Sequence, residues 1–561
     1  MSLFIRKPIS ALLNEAEDSS SQSLKKTLGA GGLIALGIGA IIGAGLFSIT
    51  GFAAGSYAGP GIMISFLIAA LGCAFAGLCY AEFASMIPVA GSAYTYSYAT
   101  MGEFIAWIIG WDLVLEYAVG AATVASSWSG YLAKLFDTLG VSLPAELMMT
   151  PFDTATLANG DVVHGLLNLP AVFIVTIMSL LLIRGTSESA WVNAVIVILK
   201  VAIVIIFIVV GFNYIRPENH VPFIPENKGN FGEFGWSGII RAAAVVFFAY
   251  IGFDAVSTAA QETKNPKKAM PIGILGSLAI CTVLYVFFAY VMTGVVRYTV
   301  FTEGPAGSHL APVAIAIEHM GVAGPDGVIT PAYPWLNTGI IIAILLGYSS
   351  VILVMLLGQS RVFYTMSKDG LLPAVFSKIH PKHRTPYKSN LFFLLFVSLF
   401  AAFIPGRIVG EMTSIGTLFA FILVCIGVLV LRNKMPDAPR AFRTPLVPLI
   451  PILGVLTCLF MMVFLPFDTW IRLIVWMIAG LDIYFLYGMK KSHLNKNLTG
   501  KDLRIVSFTG LGMAVVLLII TFLHHNYSDV KDTALFWFSI VFSIVHLLVF
   551  TLMALKANKR S

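Results

Sequence analysis

The residues Ile34-Ala35-Leu36-Gly37-Ile38-Gly39-Ala40-Ile41-Ile42-Gly43-Ala44-Gly45-Leu46-Phe47 open an apolar stretch that runs to Ala54. It carries Gly37, Gly39, Gly43, Gly45 and Gly51, with Gly55 at its exit. Such a stretch is long enough to cross a bilayer, yet glycine is about 1 kcal/mol worse than alanine in a helix. An anchor has no use for so weak a centre. A helix interrupted at mid-depth exposes backbone N–H and C=O groups that lipid cannot satisfy and a bound polar solute can. Close helix packing through small residues would also use glycines. The rest of the chain separates the two readings.

Of 561 residues, 58% are hydrophobic and 11% charged, with a mean hydropathy of +0.89. A soluble core has no need of so much apolar sequence, so the chain reads as a polytopic membrane protein of the cell membrane. Its first 28 residues are polar, with Arg6, Lys7, Lys25 and Lys26, and do not resemble a cleavable signal peptide. All five cysteines (Cys73, Cys79, Cys281, Cys425 and Cys458) fall in apolar stretches and read as packing residues. The net charge of +7 comes from loops between spans and gives no reason to invoke nucleic acid.

Apolar runs of about 20 residues lie near 32–56, 60–87, 103–135, 166–183, 190–214, 237–261, 271–297, 335–366, 390–404, 411–431, 446–466, 469–489, 504–524 and 534–555. The expected fold class is therefore an all-α membrane protein of about 14 transmembrane helices. With the N-terminus inside, only Lys134, Arg216, Lys228, Arg241, Arg297, Arg407, Arg472 and Lys531 fall outside, and Lys200 lies within a span. The rest of the 35 basic residues fall inside, which satisfies the positive-inside rule with both termini cytoplasmic. The organisation expected is a cytoplasmic segment at 1–28, a transporter core of spans 1–10 at 30–435, spans 11–12 with their loops at 436–500, and spans 13–14 with a short tail at 501–561.

A second weak point recurs in span 6, Phe247-Phe248-Ala249-Tyr250-Ile251-Gly252-Phe253-Asp254-Ala255. Spans 1 and 6 each begin a set of five, as a 5+5 inverted repeat requires. Opposed half-helix N-termini offer N–H groups to a carboxylate, and opposed C-terminal carbonyls accept from an ammonium. The substrate class expected is an α-amino acid.

Gly39 to Phe47 resembles the first-helix signature of the amino acid–polyamine–organocation superfamily. The resemblance continues through Tyr80-Ala81-Glu82-Phe83, Pro88 to Tyr96, Gly110 to Tyr117, Glu262 to Pro266 with Pro271-Ile272-Gly273, Gly358 to Phe363 and Arg432 to Pro445. In order and spacing these strings look like the cationic amino acid transporter branch, from residue 30 to about 450. The resemblance implies a LeuT-like fold and proton-coupled or exchange transport. It also implies that the substrate carboxylate meets N–H groups of Gly43, Ala44 and Gly45, and the amino group the carbonyls of Ile41, Phe248 and Ile251.

Lys200 sits mid-way along span 5, where a lysine costs about 2.5–3.5 kcal/mol on an insertion scale. It needs a role or a partner, and the resemblance implies proton coupling. Asp254 is expected to receive a substrate cation, relay protons or cap the resuming half-helix. Asp112 and Glu116 are a turn apart on span 3; the resemblance links Glu116 to cationic side chains. Met355, with Ser349 and Ser350, is placed to line the side-chain pocket, and so bulky a side chain favours small neutral substrates. Glu82 reads as an inner gate or interfacial ion pair, and His546 as a packed, hydrogen-bonded residue.

No phosphate-binding glycine loop, hydrolytic triad, metal set or cofactor motif is legible, so the chain reads as a transporter and not an enzyme. The function expected is secondary transport of L-amino acids, cationic and/or small neutral, by proton symport. An amino acid/polyamine exchanger and a non-transporting amino acid sensor are the alternatives. The expected partners are the amino acid, the proton and the lipid bilayer; the sequence leaves open a small membrane-protein partner or an oligomer.

Overall fold

A computed structural model describes residues 4–9, 12, 28–87, 92–141, 143–156, 162–184, 190–227, 229–258, 260, 263–302, 311–323, 329–383, 385–494, 500–527 and 533–558. Most of the 1–28 segment, residues 88–91, and Lys228, Glu262, Arg384 and Lys531 lie outside them.

The chain is mostly helical. Helix α1 (Ala30–Ile41) stops at Ile42, whose ψ of 106° leaves the helical region. The helix resumes at Ala44 through a π turn, Gly45–Ile49, then α2 (Thr50–Ala53) and a second π turn, Ala54–Ala58. There follow α3 (Ile62–Met86), α4 (Ser92–Thr100), α5 (Glu103–Thr138), α6 (Leu169–Arg184) and α7 (Ala190–Phe212). Next, α8 (Gly235–Val246) tightens into a 3₁₀ turn, Phe247–Tyr250, and breaks before α9 (Ala255–Thr258). The remainder are α10 (Pro266–Val295), α11 (Pro312–Glu318), α12 (Pro334–Lys368), α13 (Tyr387–Phe403), α14 (Gly406–Lys434), α15 (Leu449–Phe464), α16 (Phe467–Lys491), α17 (Gly500–Tyr527) and α18 (Thr533–Asn558).

Among the described residues, 10 helices are long and apolar enough to cross a membrane, and four shorter apolar helices (α1, α6, α13 and α15) accompany them. α1 is short because the break removes its second half. The all-α expectation needs one correction. Two connections carry antiparallel hairpins, β1 (Thr154–Thr156) with β2 (Val162–His164), and β3 (Gly321–Ala323) with β4 (Ile329–Pro331). Period-2 pairing over three residues is too short to stand out in a sequence dominated by apolar helices.

α10 packs along α1 and α3, and α12 along the second half of α5, so that the two broken segments lie inside a wall of continuous helices. Burial follows this order. The apolar windows of α5 and of residues 235–257 are 78% and 83% buried, against 22% for α18. The last two helices pack chiefly on one another and on α16, at the periphery.

Candidate substrate and coupling site

The two breaks cross. A Cβ placed on Gly45 would lie 2.2 Å from the Ala249 Cα, and one on Gly252 would lie 2.9 Å from the Ala40 carbonyl oxygen. Each broken helix thus presents a glycine to the backbone of the other, and no side chain fits between them. Gly252 also has φ of +110°, a left-handed geometry that favours glycine. The first-turn N–H groups of the helix resuming at Ala44 have no acceptor within that helix. On the other half-helix, Ile251 leaves helical geometry at ψ 137°.

The sequence-predicted groups fall around this crossing. Ile41, Gly43, Ala44, Gly45, Phe248 and Ile251 are all on the two broken segments and buried. The Ile41 carbonyl accepts from Tyr285 Oη at 3.0 Å, and the same hydroxyl reaches the Ala249 carbonyl at 2.9 Å. Tyr285 of α10 therefore bridges both breaks, a role that sequence reading missed. Its only signal is a hydroxyl in an apolar span, a group that needs a partner when buried. The Phe248 carbonyl accepts the Ile251 N–H at 3.2 Å.

Lys200 is 1% exposed and donates from Nζ to the Gly39 carbonyl at 2.8 Å. Its methylenes lie against α12 at Gly347, where a Cβ would come within 3.1 Å of Lys200 Cε. The ammonium thus holds the last turn of α1, two residues before Ile41.

On the other side lies a carboxyl cluster. Asp254 follows the second break, and Tyr117 Oη donates to its Oδ2. Glu116 precedes Tyr117 in the chain and so lies beside Asp254, and neither Glu116 oxygen nor Asp254 Oδ1 receives a donor group among the described residues. Asp112 is likewise fully buried, with both oxygens unpartnered among the described residues. Glu116 lies in a π turn, Leu115–Val119, a distortion frequent at functional sites. Asp254 also accepts at its backbone carbonyl from the Ser257 N–H at 2.8 Å, which starts the resumed helix.

The α12 residue that meets the first break is Val351, whose Cγ2 would touch a Cβ on Gly43 at 3.3 Å. Met355 is one turn further on, with its sulfur 3.4 Å from a Cβ on Gly120 of α5. Ser349 and Ser350 donate to carbonyls of their own helix, Leu345 and Gly347. Val351 is thus the α12 residue beside the first break, with Met355 one turn further along the same helix.

On the expected inner side, charged groups tie the helices together. The buried Glu82 carboxylate takes both Arg432 Nε and Nη2 at 2.9 Å, Arg440 Nε at 3.1 Å and the Thr444 N–H at 2.8 Å. The last turn of α14 and the arginine-rich string after it are therefore a clamp on α3. Asp369 binds Lys7 at 3.0 Å and Tyr94 at 2.7 Å, which draws the N-terminal segment under the helices. On the opposite side a cavity of about 1080 Å³ reaches Ser48, one turn beyond Gly45. Ser48 Oγ is 2.9 Å from Tyr348 Oη, and Tyr131 Oη donates to the Phe47 carbonyl at 2.6 Å. The arrangement has a large cavity on one side of the crossing and, among the described residues, an ion-paired clamp on the other.

A family model described as amino acid permease matches residues 28–481, most of the chain. The chain belongs to the amino acid permease family. It is 46% identical over 498 residues to the branched-chain amino acid permease BcaP of Bacillus subtilis, covering 88% of this chain and 99% of the relative. It is 41% identical to the methylthioribose transporter of the same organism, over 88% and 100%. It is also 37% identical to the vacuolar cationic amino acid transporter 4 of Arabidopsis thaliana, over 78% and 68%. This permease is a multi-pass membrane transporter for amino acids, not an enzyme. The family match ends at 481, so it takes in most of α16 and leaves out α17 and α18.

Proposed function

We propose that this permease is a proton symporter of L-α-amino acids with a LeuT-like 5+5 inverted repeat, 14 spans and cytoplasmic termini. The crossing of two interrupted helices, Gly45 against Ala249 and Gly252 against Ala40, carries the reading. Only an interrupted pair places free helix ends of both signs within one small volume. The N–H groups of Gly43, Ala44 and Gly45 hold the carboxylate, and the carbonyls of Ile41, Phe248 and Ile251 hold the ammonium. Val351 and Met355 line the side-chain pocket.

Apolar side chains, branched ones among them, are the preferred substrates. Val351 beside the first break and the 46% identity to a branched-chain permease support this choice. Lysine and arginine are the second reading, because Asp254 follows the second break and its Oδ1, like both Glu116 oxygens, has no hydrogen-bond donor among the described residues.

Two groups handle the proton. Lys200, bound to the Gly39 carbonyl, couples its charge to the last turn of α1. Glu116 and Asp254 form a hydrogen bond with one another only when they hold a proton between them, since two carboxylates side by side repel. Liposome uptake of labelled leucine, lysine and methylthioribose under an inward proton gradient tests the proposal. Gradient-driven leucine uptake without sodium supports it. Uptake confined to methylthioribose, which has neither a carboxylate nor an ammonium, overturns it.

A further inference from the structure

The large cavity has two unlike halves, and the second is foreign to an amino acid. Its polar half carries Arg407, Arg472, Glu411 and Asp153, together with Ser126, which is 1% exposed and has no hydrogen-bond partner for Oγ among the described residues. Arg407 binds Glu411 at 3.1 Å, while Thr469 donates to the other Glu411 oxygen at 3.0 Å. The other half is built from Phe400 of α13 and Ile404 just beyond it, Trp476 of α16, and Leu535, Phe538 and Phe542 of α18. Phe538 lines the cavity and is also 60% exposed, so this flank continues into the surface that faces lipid. Trp476 in addition lines a second cavity of about 240 Å³, walled only by apolar side chains that include Phe392, Phe396 and Ile483. One tryptophan thus joins a charged pocket at one end of α16 to an apolar furrow further along it.

We propose that this amphipathic cavity binds a phospholipid of the phosphatidylethanolamine type, its headgroup among Arg407, Arg472, Glu411 and Asp153 and an acyl chain along α16 past Trp476. Two arginines and two carboxylates match a headgroup that carries one phosphate and one ammonium. A purely anionic headgroup leaves Glu411 and Asp153 opposed to like charge, and a choline headgroup cannot donate hydrogen bonds to them. An amino acid shares the zwitterion but has no use for an apolar flank open to the membrane. Leu535, Phe538 and Phe542 of the flank come from α18, outside the family match at 28–481, so the terminal helix completes a site whose charged half lies within the match and thereby gains a role.

Native mass spectrometry of the full chain in mild detergent tests this with equimolar dioleoyl phosphatidylethanolamine, phosphatidylglycerol and phosphatidylcholine. The ethanolamine lipid is expected to be retained in preference to the other two, and saturating leucine is expected to leave it bound. Ala534→Trp, which fills the apolar flank, and Arg407→Gln, at a side chain 53% exposed, should each lower retention about tenfold. Equal retention of the three lipids, displacement by leucine, or wild-type retention in both variants overturns the proposal. The measurement reads lipid and not transport, so its failure leaves the transport reading standing.

Discussion

The Lys200 ammonium donates a 2.8 Å hydrogen bond to the Gly39 carbonyl, two residues before the first helix ends at Ile41. A charge from α7 is thereby fixed to the backbone whose geometry forms the site. Removing the lysine frees a carbonyl next to the break, and taking away its proton weakens the bond to that carbonyl; in the proposed symport this contact is what ties proton occupancy to the position of the helix.

Lys200→Met keeps most of the side-chain volume and removes the charge. Leucine uptake driven by an inward proton gradient should fall to background in this variant, while counterflow exchange partly survives. Uptake unchanged from wild type, or a requirement for sodium in the native protein, would rule out the coupling mechanism.

Recognition of the carboxylate is tested without mutation. Leucine should bind, and 3-methylbutylamine, the same side chain without the carboxylate, should not. Each buried N–H left unpaired costs about 1–3 kcal/mol. Comparable thermal shifts with the two compounds would contradict the assignment of Gly43, Ala44 and Gly45.

Gly45→Ala places a methyl group 2.2 Å from the Ala249 Cα, against backbone that cannot rotate away. The crossing must open, at a cost of about 1–3 kcal/mol. Transport should be lost and the melting temperature should drop, whereas Gly339→Ala on α12, where a Cβ meets nothing within 4 Å, should behave as wild type.

Glu116→Gln separates substrate contact from proton handling. A selective loss of lysine binding with alanine spared assigns the carboxyl to a cationic side chain. Loss of proton dependence with binding of both retained assigns it to the pair with Asp254. A uniform loss of both substrates would make the residue structural.

The inner clamp has its own test. Glu82→Gln leaves Arg432 and Arg440 without a counter-charge in a buried setting, a loss of about 3–5 kcal/mol for a broken buried pair. Cysteine-labelling reagents applied from the inner side should reach a cysteine introduced at Ser257, a near-isosteric change three residues past Asp254, faster in this variant. Unchanged labelling would show that the clamp is not what seals that side.

Local composition was enough to place both interruptions. Gly43-Ala44-Gly45 and Ile251-Gly252 are poor helix formers within long apolar runs; the second break falls on its string, and the first falls at Ile42-Gly43, the leading edge of its own, with Ala44 and Gly45 already in the resumed helix. The need of Lys200 for a partner was equally legible, since a mid-span ammonium has few tolerable states. Contacts between distant segments were decided only by the tertiary structure. Sequence order says nothing of Tyr285 reaching Ile41 and Ala249, 244 and 36 residues away, or of Arg432 gripping Glu82 from 350 residues away. Nor does it say that Val351 is the α12 residue beside Gly43, because helical period fixes a face and not which turn meets the break. Glycine content marks where a backbone yields; only packing determines what it then touches.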